Sequence, residues 1–201
     1  FRRVLFRSRL CAVPDGDLFK EITAGRMSVV TDRIERFTSD GIRLCSGETL
    51  PADLIVLATG LKVQPLGAVK ISVDGRPIDY ADTMVYRGAM LSGVPNMVHT
   101  FGYTNSSWTL RADLIAAYIG RIVAYMRRHG FDSVTAIRDP AVGEMPFIDF
   151  NSGYVLRALE GLPKQGDRFP WRVHQTYLRD LGVTRYRRIT DPALKFGHAP
   201  S

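Results

Sequence analysis

Residues 53–60 read Asp-Leu-Ile-Val-Leu-Ala-Thr-Gly, an uninterrupted apolar run that ends in small residues. The run lacks the alternation of a half-buried strand, which is typical of a strand covered on both faces within a parallel sheet. In open α/β sheets, ligands bind beyond the carboxyl ends of such strands. Gly60 would let a ligand approach the backbone closely, although a turn glycine after a hydrophobic strand explains it equally well. The pattern predicts an α/β fold.

The segment downstream predicts a second strand and a long helix. Residues 96–101 form another short apolar run. Apolar residues then recur at helical spacing from Trp108 to about His129, and Gly130 closes the helix behind three basic residues. Residues 104–107 supply several side chains of the kind that caps a helix start. Start and stop signals therefore agree on one helix.

Shorter elements flank these segments. A capped helix is predicted after Asp15-Gly16-Asp17, with Gly25 at its end. A small antiparallel meander is predicted from β-rich runs at residues 27–31, 34–38 and 42–44. Prolines divide the last third of the chain into short pieces, which predicts a helical and loop-rich C-terminal region. Its helices are expected near residues 153–159 and 171–181.

The start of the long helix is the second candidate site. Phe101-Gly-Tyr-Thr-Asn-Ser-Ser-Trp-Thr-Leu-Arg-Ala-Asp113 combines a glycine turn with polar residues at a helix N-terminus. Free N–H groups and the positive end of the helix dipole suit an anion or a polarised carbonyl, such as the N1–C2=O edge of a reduced flavin. Spacing alone does not identify the ligand, and simple capping of a long helix explains the same residues.

Taken together, the two segments resemble the C-terminal half of the flavin-containing monooxygenase and Baeyer–Villiger monooxygenase superfamily. The likeness is strongest to the branch that includes ethionamide-activating monooxygenases. Asp15-Gly-Asp-Leu-Phe19, Phe150-Asn-Ser-Gly-Tyr-Val-Leu-Arg-Ala-Leu159 and Leu162-Pro-Lys-Gln-Gly166 also look like that branch. The resemblance runs from about Arg9 to about Phe196.

The resemblance implies an α/β fold, namely the C-terminal portion of a flavoprotein with two dinucleotide-binding (Rossmann-like) domains. Residues 9–60 would form the end of the NADPH-binding domain and its return strand. Residues 61–135 would form the C-terminal part of the FAD-binding domain, and residues 136–201 a helical and loop-rich extension. Residues 1–8, Phe-Arg-Arg-Val-Leu-Phe-Arg-Ser, are interpreted as a non-native leader.

The resemblance also implies FAD and NADP as cofactors. In such enzymes NADPH reduces the flavin, O2 adds at C4a, and the peroxyflavin oxygenates a ketone, sulfide, thioamide or amine. The protein contributes orientation, charge stabilisation and exclusion of water. The cofactor-binding residues implied here are Ala58, Thr59, Gly60, Gly102, Thr104, Asn105, Ser106, Ser107, Trp108, Thr109 and Leu110.

The chain departs from the family pattern because it contains no Gly-x-Gly-x-x-Gly sequence, whereas the family has one for FAD and one for NADPH. The family's fingerprint and its catalytic arginine, expected upstream, are absent too. We therefore assign no catalytic residue and no metal ligand. The chain on its own is interpreted as a fragment and is expected to be inactive.

Two other classes of protein stay open. A flavin disulfide reductase shares a strand that ends in Ala-Thr-Gly, but it needs a redox-active cysteine pair, which Cys11 and Cys45 do not form by their spacing. A non-catalytic α/β binding module agrees with the missing glycine loops. It agrees less well with the length of the monooxygenase resemblance.

The formal net charge is +7, and the arginines crowd toward the two ends instead of forming a basic stripe with aromatic residues. This pattern argues against nucleic-acid binding. No apolar run is long enough to span a membrane. The sequence predicts a cytoplasmic protein that acts on a small molecule and O2. Contact of residues 185–188 with anionic headgroups is an alternative to a solvated basic face.

Overall fold

The computed structural model describes residues 14–104, 106–148 and 152–198. The chain forms two compact units, residues 1–61 and residues 62–201. Both combine helical segments with small antiparallel sheets, so the predicted α/β class is confirmed at this level. The leader at residues 1–8 lies outside the described residues.

The first unit contains a short helix and a three-stranded antiparallel meander. Helix α1 spans Asp17–Thr23 and follows Gly16, which adopts the left-handed conformation. The strands, paired in chain order, are β1 Ile34–Thr38, β2 Gly41–Leu44 and β3 Thr49–Pro51. The helix and the meander are confirmed. The strand predicted at residues 27–31 is wrong, because the third strand follows the turn at Gly47 and pairs with β2.

Residues 53–60 form no strand, so the prediction of a buried strand there is wrong. The segment is irregular and open to solvent, with exposed fractions of 82% for Leu54, 79% for Val56 and 69% for Leu57. A buried parallel strand depends on hydrogen-bonded neighbours on both sides. No described strand pairs with this segment. Its strand-like composition therefore lacks the pairing that a sheet requires.

The second unit is organised around helix α2, which spans Trp108–His129 as predicted. Gly130 ends the helix in the left-handed conformation (φ 71°), which a residue without a Cβ adopts at little cost. One face of the helix is buried, and its buried residues are Arg111, Leu114, Ile115, Tyr118 and Ile122. Burial of this apolar stripe supplies most of the stability of such a helix.

Two clusters of buried side chains form the core of the second unit. The larger one joins α2 to Tyr86 and Trp171, whose rings make an edge-to-face contact with centroids 5.5 Å apart. The smaller one consists of Tyr80, Val85, Leu91, Val94, Phe147 and Val173. Neighbouring strand residues point to opposite faces, so Val85 and Tyr86 enter different clusters.

Four two-stranded antiparallel sheets belong to the second unit. The pairs are β4 Ser72–Val73 with β5 Arg76–Pro77, β6 Val85–Tyr86 with β7 Met90–Leu91, β8 Ser133–Ala136 with β11 Leu194–Gly197, and β9 Glu144–Pro146 with β10 Lys164–Gly166. Within the described ranges, parallel pairing is limited to isolated bridges. The parallel Rossmann-like sheet implied by the resemblance stays a prediction.

Residues 96–101, predicted as a strand, are irregular, so that prediction is wrong. Asn96 adopts a positive φ of 55° at the start of this segment. Its side-chain oxygen accepts a hydrogen bond from the Val134 N–H (2.9 Å), and its amide group donates to the Asp132 carbonyl (3.1 Å). The asparagine side chain thus takes over hydrogen bonds that a neighbouring strand would make.

The C-terminal helices are shorter than predicted. Helix α3 spans Gly153–Leu156, and helix α4 spans Tyr177–Leu181 and continues into one π-helical turn, Gly182–Tyr186. Trp171, expected near the start of the last helix, is a core residue with an exposed fraction of 1%. Phe150, the first residue of one motif, lies outside the described residues.

Candidate functional site

The predicted cofactor residues fall into two groups, one in each unit. Ala58, Thr59 and Gly60 lie in the exposed irregular segment of the first unit, where Gly60 has a positive φ of 100° that favours glycine. The others lie at the start of α2 in the second unit. Asn105 is the exception, because it lies outside the described residues.

Gly102 and Trp108 are in close contact at the start of α2. A Cβ atom at Gly102 would stand 2.8 Å from the Trp108 Cα and nearer still to its indole ring. The ring of Phe101 packs between those of Trp108 and Phe147, at centroid distances of 5.4 Å and 4.8 Å. Gly102 is therefore required by the close approach of the indole, and the aromatic contacts fix the first residue of the helix.

Replacing Gly102 by alanine is expected to destabilise the chain by about 1–3 kcal/mol, because the added methyl group overpacks a contact that includes backbone atoms. The measurement is urea unfolding of the 201-residue chain followed by tryptophan fluorescence. The control is Gly120→Ala, which adds the same group in the interior of α2 where no atom lies within 4 Å. That change is expected to stabilise by roughly 0.5–1 kcal/mol. Equal destabilisation by both would contradict the assigned contact.

The first turn of α2 is exposed, and its N-cap residue does not cap it. Ser107 is the N-cap, but its hydroxyl lies 2.7 Å from the Thr109 hydroxyl instead of bonding a helix N–H. Residues 106–110 are all exposed. The predicted capping role is therefore wrong for Ser107. Among the described residues no side chain caps this helix end, and the first N–H groups of a helix suit an acceptor from outside the chain.

A buried polar network lies behind this helix start. The Tyr103 hydroxyl donates to Asp180 Oδ2 (2.8 Å), and the Arg111 guanidinium lies 3.7 Å from the same oxygen. The guanidinium also sits over the Tyr103 ring. Burial raises the pKa of Asp180, an effect that the charge of Arg111 opposes. The network connects the start of α2 with α4.

Thr104, on the other side of the helix start, is held by Gln175. Its N–H and its hydroxyl both donate to Gln175 Oε1, at 3.0 Å and 3.2 Å. These two residues help to line a cleft of about 260 Å³, together with Phe147, Ile148, Gln165, Arg172, Val173 and His174. Pockets for whole drug-sized ligands measure about 300–1,000 Å³, so this cleft fits part of a ligand.

Two histidines lie close to Arg111. The guanidinium donates to the His174 carbonyl (3.4 Å). Burial and, to a smaller extent, the charge of Arg111 together lower the pKa of His99 to about 4. Burial also lowers the pKa of His174, with added effects from the charges of Arg179 and Arg172. His99 is therefore neutral at pH 7.

Sequence reasoning missed this network. The one available signal was the position of Arg111, which precedes Leu114 by three residues and Ile115 by four. Those spacings place a charged group on the apolar face of α2, where it needs a partner. The partner, Asp180, is distant in sequence and carries no comparable signal.

The chain is similar to curated FAD-containing monooxygenases. The FAD-containing monooxygenase EthA of Mycobacterium tuberculosis is 53% identical over 194 residues, which cover 96% of this chain and 40% of EthA. EthA of Mycolicibacterium smegmatis is 51% identical over 189 residues, with coverages of 94% and 38%. The "Probable FAD-binding monooxygenase AlmA" of Acinetobacter baylyi is 45% identical over 195 residues, with coverages of 94% and 38%.

No family model matches the chain, and no solved structure matches it. The chain spans about 40% of the length of these relatives. The identities extend over nearly the whole chain, and the relatives' names agree with the branch that the sequence motifs resemble. The chain is therefore homologous, over nearly its whole length, to about 40% of the length of FAD-containing monooxygenases such as EthA.

Proposed function

We propose that this chain forms the flavin-contacting part of a monooxygenase that uses FAD and NADPH. The reaction inserts one oxygen atom from O2 into a ketone, sulfide, thioamide or amine. The relatives' names support FAD and monooxygenase activity. The use of NADPH and the substrate classes rest on the resemblance of the sequence motifs. Because the chain spans about 40% of its relatives, the activity proposed is that of a whole protein of their kind.

The observation that carries the proposal is the exposed first turn of α2, which Ser107 leaves uncapped. The carbonyl edge of a flavin accepts hydrogen bonds from such N–H groups, and the helix dipole stabilises negative charge on it. When bound, the flavin would be the group that reacts with O2. The residues of this chain would hold that edge and keep water away from it.

The surroundings of the helix start fit this role. Trp108, with an exposed fraction of 52%, presents an aromatic surface at the first helical position. Tyr103 and Arg111 flank the segment and are fixed by Asp180. These contacts hold the backbone of the helix start in place, so its N–H groups need little reorganisation when a ligand arrives. The roles of Ala58, Thr59 and Gly60 toward the same cofactor rest on the resemblance alone.

The test uses a chimaera in which this chain replaces the matching 194 residues of the tuberculosis EthA. Thr109→Glu adds a negative charge to the first turn of α2, which favours the helix by roughly 0.3–1 kcal/mol but repels an electron-rich flavin edge. We expect FAD binding to weaken about tenfold, which corresponds to roughly 1.4 kcal/mol. Binding is measured by titrating the apoprotein with FAD and following visible absorbance.

The matched control is Ala116→Glu, which adds the same charge at an exposed position in the middle of α2. It is expected to leave FAD affinity within about twofold of the unmodified chimaera. Equal affinities for the Thr109→Glu and Ala116→Glu proteins would overturn the placement of the flavin. A chimaera that binds FAD but oxidises no NADPH would overturn the proposed electron donor. The chain alone is expected to purify colourless, because it contains no glycine fingerprint for a pyrophosphate.

A further inference from the structure

An apolar ridge lies on the outer side of α4 and the π-helical turn. Leu178 and Tyr186 have exposed fractions of 75% and 78%. They lie four residues on either side of Gly182, and a spacing of four keeps helical residues on one face. By the same spacing, Asp180 and Thr184 share another face, and both are buried. We name Leu178, Gly182 and Tyr186 the outer ridge.

Arginines border the outer ridge. Arg179 and Arg185 lie next in sequence to its two large side chains, and Arg187 and Arg188 follow directly. All four arginines are exposed, and within the described ranges none of them forms an ion pair. The one acidic residue of this segment, Asp180, is directed inward to Tyr103 and Arg111. No ion pair among the described residues therefore offsets these four positive charges.

The segment that carries these side chains is held from inside. The Arg121 guanidinium of α2 donates to the carbonyls of Thr184 and Arg187, the latter at 2.7 Å. Arg87 donates to the Arg188 carbonyl (3.2 Å). The Arg187 guanidinium rests over the Phe169 ring at 4.3 Å from its centroid. The fold thus presents the ridge as a defined surface, so little ordering is needed on binding.

We propose that the outer ridge and its four arginines form a peripheral binding surface for anionic lipid bilayers. Leu178 and the Tyr186 ring enter the boundary between headgroups and acyl chains, while the arginines bind lipid phosphates. A second copy of the chain is a poorer occupant, because it would bring two sets of these arginines together. Nucleic acid offers phosphates but no environment for an exposed leucine. No helix within the described ranges is long and apolar enough to cross a bilayer, and the proposed contact needs none.

The experiment is co-sedimentation of the 201-residue chain with vesicles of phosphatidylcholine, and with vesicles of an equimolar mixture of phosphatidylcholine and phosphatidylglycerol. We expect binding to the mixed vesicles that weakens as salt is added, and little binding to phosphatidylcholine alone. The double variant Arg179→Gln, Arg185→Gln is expected to bind the mixed vesicles about thirtyfold more weakly. The double variant Leu178→Ser, Tyr186→Ser is expected to bind the mixed vesicles about tenfold more weakly.

The matched control is Arg127→Gln, Arg128→Gln, which removes the same charge from an exposed pair at the end of α2. Its binding is expected to stay within about threefold of the unmodified chain. An equal loss in this control would overturn the assignment to the outer ridge. Equal binding to both kinds of vesicle would overturn the anionic specificity. A lipid-free dimer that the Leu178→Ser, Tyr186→Ser change dissociates would assign the ridge to a second copy and overturn the proposal.

Discussion

Replacing Arg111 by methionine is expected to lower the free energy of unfolding by about 3–5 kcal/mol. The Arg111 side chain is 3% exposed, and its guanidinium is the cation beside the Asp180 carboxylate. Methionine occupies much of the same volume, but it leaves a buried carboxylate without a counter-charge. The measurement is urea unfolding of the 201-residue chain at pH 7.

A double-mutant cycle isolates the electrostatic part of this effect. Asp180→Asn removes the negative charge and keeps an acceptor for the Tyr103 hydroxyl. The combination Arg111→Met, Asp180→Asn is therefore expected to recover at least half of the stability lost in Arg111→Met alone. Strictly additive losses would show that the two side chains do not stabilise each other. That result would contradict the assigned interaction between Arg111 and Asp180.

His99 is expected to make the folded state sensitive to acid. Burial lowers its pKa from the ordinary value of 6.5 to about 4. Between these two pH values, the unfolded chain binds a proton that the folded chain does not bind, so stability falls as the pH falls. The full effect corresponds to about 3 kcal/mol, present at pH 7 and lost by about pH 4. Unfolding free energies measured across this interval report it directly.

The variant His99→Gln separates this contribution from those of other groups. Glutamine does not titrate, so its unfolding free energy should depend less steeply on pH between about 6.5 and 4. His198→Gln is the control, because His198 is exposed and its side chain contacts Asp132 at the surface. A slope that is the same in the His99 variant as in the unmodified chain would falsify the assignment of the acid response to His99.

Local signals in the sequence predicted the elements that local forces determine. Trp108–His129 has apolar residues at helical spacing, basic residues in its last turn and a glycine to end it, and the structure has the same bounds. The meander likewise consists of short strands that pair with their neighbours in sequence across tight turns. The apolar runs at residues 53–60 and 96–101 failed as predictions. A strand is defined by its partner, and neither run has a strand partner among the described residues.

The candidate site was predictable only at positions where the backbone geometry requires a particular type of residue, such as a glycine at a close contact or polar residues at a helix start. The sequence pointed to Gly102 and to the polar start of α2, and both lie together in the structure. The Tyr103–Arg111–Asp180 network was not predictable as a whole. Tyr103 and Arg111 lie in the segment 101–113, but their partner Asp180 is distant in sequence and belongs to no motif. Ser107 stands at the N-cap position, but its hydroxyl contacts the Thr109 hydroxyl and accepts no hydrogen bond from a helix N–H.

The exposed run at residues 54–58 affects how the chain behaves in concentrated solution. Leu-Ile-Val-Leu-Ala contains no charge, proline or glycine. Short segments of this composition stack with identical segments of other copies into cross-β fibrils with dry, interlocking side chains. Asp53 and Lys62 stand on either side of the run as charged gatekeepers that slow such stacking. Wherever the run is left uncovered, we expect fibril formation to increase with the concentration of the chain.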